Sequence, residues 1–157
     1  MSVTVGPKGK RGAEFPPVAR SLIRALAPVN VWMFRRFGRR MRVQGRPLLL
    51  LTTRGAKTGL PRRTTLGWFT DDRPGSWIVV GSNGGAAAHP AWVINLVHHP
   101  SDASIEVDGK TYRVRAESLS GAERERAWKK IVELAPRYGK YTEQTDRVIP
   151  VIRLVRT

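Results

Sequence analysis

The chain contains no cysteine among its 157 residues. That excludes disulfides, thiolate metal sites and thiol nucleophiles, and it fits a reducing compartment. Long apolar runs are missing too: none approaches the ~20 residues that span a bilayer as a helix. Residues 1–14 are polar and glycine-rich, and the apolar stretch after them is broken by Arg20 and Arg24, so no secretory signal is expected. His98 and His99 have no third ligand at a sensible spacing, so no metal site is expected. Acidic residues are scarce at one end. Residues 1–63 hold 15 Lys/Arg against one Asp/Glu, whereas residues 64–157 hold 13 against 11. Nearly all of the net charge of +16 therefore sits in the first two fifths. Such asymmetry points to an anionic partner there: nucleic acid, anionic lipid or an acidic ligand.

The length suits one domain with a sizeable core. Residues 1–14 read as a disordered basic tail. Residues 15–46 read as an amphipathic basic helical segment, opened by Pro16-Pro17 and kinked or split at Pro28. Leu48 to Thr53 reads as a short buried strand, Thr64 to Thr70 as a second and Trp77 to Gly81 as a third. Pro90 to His98 reads as a short helix. The stretches 104–107 and 111–115 alternate apolar and polar residues around Asp108-Gly109, a hairpin signal. Ser120 with Glu123 has the spacing of a capping box for the next helix. Ile149 to Val155 reads as a last strand, with Pro150 at its start or on a sheet edge. Hairpin spacing favours an antiparallel sheet or barrel over βαβ units.

Two loops carry chemistry. In Ser82-Asn83-Gly84-Gly85 the glycines can take positive φ and bare their backbone N–H groups, and a helix opens just after them. The segment Thr52-Thr53-Arg54-Gly55-Ala56-Lys57-Thr58-Gly59-Leu60-Pro61-Arg62-Arg63 offers a similar cradle with more charge. It lacks the Gly-Lys-Ser/Thr ending of a Walker loop. Two such loops point to a long anionic ligand gripped at two places.

Three blocks together resemble the deazaflavin-dependent nitroreductase family: 51–62, 81–96 with His-Pro-Ala-Trp and Asn-Leu, and 138–151 with Tyr-Gly-Lys-Tyr and Thr-Asp-Arg-Val-Ile-Pro-Val. The resemblance runs from about Leu48 to the C-terminus. It implies an α+β fold: a split β-barrel of about six mainly antiparallel strands, occupying 47–157, with flanking helices and the N-terminal helical extension. It implies hydride transfer from the reduced 8-hydroxy-5-deazaflavin coenzyme F-420 to an organic acceptor. A quinone is the expected acceptor class, with nitroaromatic and activated-alkene compounds beside it. It also implies an actinobacterial-type cytoplasm that makes this cofactor.

By the same resemblance, Lys57 and Arg62 grip the cofactor's phosphate and oligoglutamate tail, with Arg54 beside them. Gly55, Gly59 and Pro61 shape that loop. Ser82, Asn83, Gly84 and Gly85 lie against the deazaflavin ring, Trp92 and Asn95 belong to the helix closing the site, and Tyr138 and Tyr141 line the acceptor pocket as candidate proton donors. FMN is the alternative cofactor. The alternative functions are an FMN-binding split-barrel oxidoreductase and a non-catalytic cofactor-binding or basic surface-binding protein. The basic N-terminal stretch admits three readings: a helix packed on the barrel with arginines reaching water, a helix lying on an anionic membrane at its inner face, and nucleic-acid binding. The last is disfavoured because no nucleic-acid-binding motif is recognisable.

Overall fold

The computed structural model describes residues 2–157. Two helices come first, α1 (Pro17–Ala25) and α2 (Ala27–Phe37). The chain then enters β1 (Arg42–Val43), β2 (Arg46–Arg54), β3 (Pro61–Gly67), β4 (Phe69–Thr70) and β5 (Ser76–Val80). A 3₁₀ turn at Asn83–Gly85 leads to α3 (Ala91–His98). The hairpin β6 (Ala103–Val107) and β7 (Lys110–Ser118) follows, then α4 (Gly121–Leu134), α5 (Arg137–Gln144) and β8 (Val151–Arg156).

Every strand pairing is antiparallel, in the order β1-β2-β6-β7-β8-β5-β4, with β3 also on β2. The run predicted as one strand over 64–70 is broken at Trp68. Before the break β3 pairs with β2, and after it β4 pairs with β5. One stretch of chain thus touches both ends of the sheet and curls it into a split barrel, as expected from the resemblance. The predicted Asp108-Gly109 turn joins β6 to β7.

The apolar run Leu48–Leu51 is a strand buried on both faces, which is why it does not alternate. Leu49 and Leu51 point into the barrel, among Val79, Ile105, Val114, Ile152 and Leu154. Leu48 and Leu50 point outward beneath Phe34 of α2. A second outer cluster packs Ile131 of α4 and Tyr138 of α5 against Phe69, Ile78 and Val151. Trp92, Val93 and Leu96 of α3 join the barrel cluster.

Several local readings differ from the structure. Ser120 makes no side-chain cap on α4, and the Glu123 carboxylate, the other half of the expected box, is taken by Arg153. Of the two readings of Pro150, the structure shows the entry residue and not the edge: it immediately precedes β8, which runs between β5 and β7. The largest difference is at the N-terminus. The stretch read as a disordered tail is an extended strap in the structure, apart from Met1, which lies outside the described residues. Val3 is 2% exposed within the barrel cluster. Ser118 holds the strap on both sides: its amide donates to Ser2 O, and its Oγ pairs with the amide and carbonyl of Thr4. Burial of an apolar anchor with this local bonding outweighs the low hydrophobicity of the segment.

Candidate active site

The β2–β3 loop closes on itself through Gly55 N–H to Leu60 O and Gly59 N–H to Gly55 O, both at 2.8 Å. Gly59 has φ 70°, a left-handed position that suits glycine. Lys57 stands exposed on this loop and Arg62 at the start of β3, and neither meets a carboxylate among the described residues. Arg62 reaches only Thr58 Oγ1, at 3.4 Å. Arg54 differs: it turns to Asp102 at 3.4 Å, part of a cleft that also includes Thr52, Gly59 and Arg113. Asp102 neutralises that side, whereas Lys57, Arg62 and Arg63 meet no carboxylate among the described residues.

Asn95 is buried and spends its side-chain amide on protein. Its Oδ1 accepts the Ala56 N–H at 2.9 Å, and its Nδ2 donates to Thr53 Oγ1 at 3.0 Å. It therefore holds the basic loop to α3 rather than facing a ligand. Trp92 lies in the barrel core.

The glycine loop has a distinct polarity. Asn83, Gly84 and Gly85 have φ of 47°, 61° and 80° in succession. The carbonyls of Gly81, Ser82 and Ala86 are taken by the Arg147 guanidinium at 3.1, 2.7 and 2.8 Å. Those of Gly85 and Ala87 accept the strap amides of Ala13 and Gly9 at 3.0 and 2.9 Å. Asn83 O accepts Ala86 N–H, and Ala88 O accepts Asn83 Nδ2. By contrast, the amides of Ser82, Asn83 and Gly84 find no acceptor among the described residues. A backbone with its carbonyls occupied and successive N–H groups free attracts an electron-rich or anionic group.

Arg147 is a buried cation, 6% exposed, and no carboxylate lies in contact with it among the described residues. Burial lowers its pKa from the ordinary arginine value. Carbonyl dipoles take the place of a counter-ion.

On α5, Gln144 closes on Gly85: a Cβ there would come within 2.5 Å of Gln144 Oε1. One turn earlier, Tyr138 and Tyr141 meet edge to face at 5.8 Å between ring centres, and Tyr138 meets Phe69 at 5.7 Å. Arg46 stands 4.7 Å above the Phe69 ring. The Tyr141 hydroxyl pairs with Gln44 Nε2 at 3.0 Å, and Gln44 Oε1 is buried without a partner. Burial, and next the neighbouring Tyr141, push the Tyr138 phenol above its ordinary pKa, with Arg46 opposing. It stays protonated at neutral pH.

The structure thus links the basic loop to α3 through Asn95, and the glycine loop to α5 through Gln144. Gln44, Arg147 and the strap were not foreseen as site residues. Arg147 lies in one of the motif blocks, but nothing in the sequence marks it as buried. Gln44 reaches Tyr141 across 97 residues.

Comparison with known proteins agrees with this fold. A Mycobacterium tuberculosis protein described as an F420H(2)-dependent quinone reductase is 38% identical over 113 residues, covering 70% of this chain and 74% of its own. A solved F420-H2 dependent reductase superposes with a TM-score of 0.61 at 38% identity, covering 69% of this chain and 94% of its own. A second solved structure, described as a domain-swapped dimer, gives 0.62 at 31% identity, covering 86% and 98%. A family model matches residues 27–156, from the first turn of α2 to the last strand, and on that match the chain belongs to the F420H(2)-dependent quinone reductase family.

Proposed function

We propose that the chain reduces a quinone with reduced coenzyme F-420, holding the cofactor between the basic loop and the glycine loop. The observation that carries this is the polarity of the glycine loop, whose free amides at 82–84 stand beside occupied carbonyls. The donor set fits an anionic cofactor. Lys57 and Arg62 suit a phosphate followed by carboxylates, and the arginine fork can bind bidentately. Asn95 keeps that loop in place.

When bound, the reduced cofactor supplies the hydride, so the protein needs no nucleophile or metal of its own. The chain positions the acceptor and delivers one proton. Tyr138 and Tyr141 form an aromatic wall for a planar acceptor. The Tyr141 hydroxyl, paired with Gln44, is placed to hand a proton to an acceptor oxygen. Arg46 adds positive charge nearby, which favours the negative charge developing on that oxygen. The test is anaerobic oxidation of reduced F-420 by a soluble quinone. Cofactor loss stoichiometric with quinol formation supports the reading; no protein-dependent rate sinks it.

The exposed face of α1 and α2 supports a second element of the proposal. Val18 is 78% and Trp32 61% exposed, with Leu22, Ile23, Val29 and Phe37 also open. Arg20, Arg24, Arg36 and Arg40 are exposed on the same two helices and the turn after them. Phe34 is the buried residue of α2, while α1 buries none. Apolar and basic groups combined on a helix pair match an anionic lipid surface, which would place the enzyme at the inner face of a membrane beside lipid-soluble quinones. Among the described residues no helix is long and apolar enough to cross one.

A further inference from the structure

The strap lies outside the family match, which begins at residue 27, yet it is fitted closely to the glycine loop. A Cβ on Gly12 would run into Ala87 N, and would come within 2.7 Å of Ala86 C and 2.8 Å of Gly85 O. A Cβ on Gly9 would come within 2.5 Å of Asp146 Oδ1. At Gly12, where the neighbours are backbone, no side chain larger than hydrogen fits without moving the strap; at Gly9 the Asp146 carboxylate would have to turn away. Four further contacts fix it. The amides of Lys10 and Arg11 donate to the Asp146 carboxylate, Thr145 Oγ1 donates to Arg11 O, and Gly6 O lies 2.9 Å from His89 Nε2. The other nitrogen of His89 is 3.3 Å from Arg147. The strap and Arg147 are therefore two jaws joined through His89, and between them lie the carbonyls of the glycine loop.

We infer that residues 9–13 and Arg147 form a clamp that positions the glycine loop for the deazaflavin. The inference rests on the proposed cofactor reading. The physical ground is entropic: a loop with two successive glycines has many accessible backbone conformations, and holding Asn83, Gly84 and Gly85 in one of them costs backbone entropy. That conformation persists because Ala13 holds the carbonyl of Gly85 within it, while Gly9 holds the flanking Ala87 carbonyl and the Arg147 guanidinium those of Gly81, Ser82 and Ala86. Loosening either jaw lets carbonyls swing toward the ligand and lowers the fraction of loop in the binding shape. Apparent affinity falls by that fraction.

Three variants of the full chain test this. Gly12→Val lifts the strap while leaving Val3 seated. Arg147→Lys keeps the charge but loses the fork that spans three carbonyls. Asp146→Ala removes an exposed anchor of the strap and keeps the test open if Gly12→Val fails to fold. The readouts are fluorescence titration with oxidised F-420, amide hydrogen exchange over residues 82–87, and thermal unfolding. The clamp predicts about tenfold weaker binding for Gly12→Val and Arg147→Lys, a smaller loss for Asp146→Ala, and faster loop exchange in all three. A purely structural role would lower the unfolding temperature while the folded variants bind as the parent does, which would overturn the inference. Tighter binding by Gly12→Val or Asp146→Ala would also overturn it, because the strap would then be covering the site. If the parent itself fails to bind F-420, the cofactor reading falls and takes the positioning role with it. Unchanged loop exchange would show instead that the clamp, and not the cofactor reading, is wrong.

Discussion

Asp71 and Arg153 are half-buried side by side, and each is satisfied by more than one partner. Arg153 reaches Asp71 through two nitrogens, Glu117 at 3.2 Å, and Glu123; Asp71 also accepts from Ser76. Burial alone would raise the Asp71 pKa, but the hydrogen bonds from Arg153 and Ser76 outweigh it and hold it below its ordinary 3.8. Because the folded-state pKa is depressed, the pair's contribution is whole above that ordinary value and is lost as the pH falls through the folded-state pKa. Asp71→Asn is expected to cost about 2 kcal/mol at neutral pH, less than a lone buried pair because Glu117 and Glu123 remain on Arg153. Chemical denaturation of parent and variant at neutral and acid pH checks this, and the gap should shrink in acid. None of this network was legible in the sequence, which places Asp71 in a turn and Arg153 in a strand 82 residues away. Lys57 and Arg62 were legible as exposed cations because they stand among glycine and threonine. Lys57→Ala with Arg62→Ala is expected to weaken F-420 binding at low salt and to flatten its salt dependence. Unchanged affinity in a salt series would mean the anionic tail is held elsewhere.

The strands were legible because their patterns follow burial: a continuous apolar run where both faces are covered, alternation where one faces water. The break at Trp68 was not, since it depends on which partner each half of the run meets. Both loops were found from glycine spacing, but what shapes them was not. Asn95 illustrates the gap. The family resemblance made it a candidate ligand, yet it braces the other loop. Asn95→Ala should leave Ala56 N–H and Thr53 without their partner, costing about 1–3 kcal/mol. Cofactor affinity should fall with it, and limited proteolysis should cut faster within residues 55–60. An unchanged cleavage rate would show that the loop holds its shape without Asn95.

Charge asymmetry marks the N-terminal end of the molecule as the part that meets something anionic. The first 14 residues read as solvated chain, because polar composition reports nothing about a close fit to a loop more than 70 residues later. The helices that follow present apolar groups to solvent, and an exposed patch of that kind marks an interaction surface. Leu22→Glu with Trp32→Glu should abolish sedimentation with phosphatidylglycerol vesicles while leaving F-420 affinity intact. If the parent ignores such vesicles but sediments as a dimer that the variant cannot form, the face belongs to a second copy instead. The cofactor site is independent of that outcome. Titration of the purified protein with oxidised F-420 and with FMN, side by side and followed by fluorescence, decides whether the two loops form a deazaflavin site. Micromolar binding of F-420 with FMN at least about tenfold weaker is the expected result. Equal or tighter binding of FMN would contradict the account.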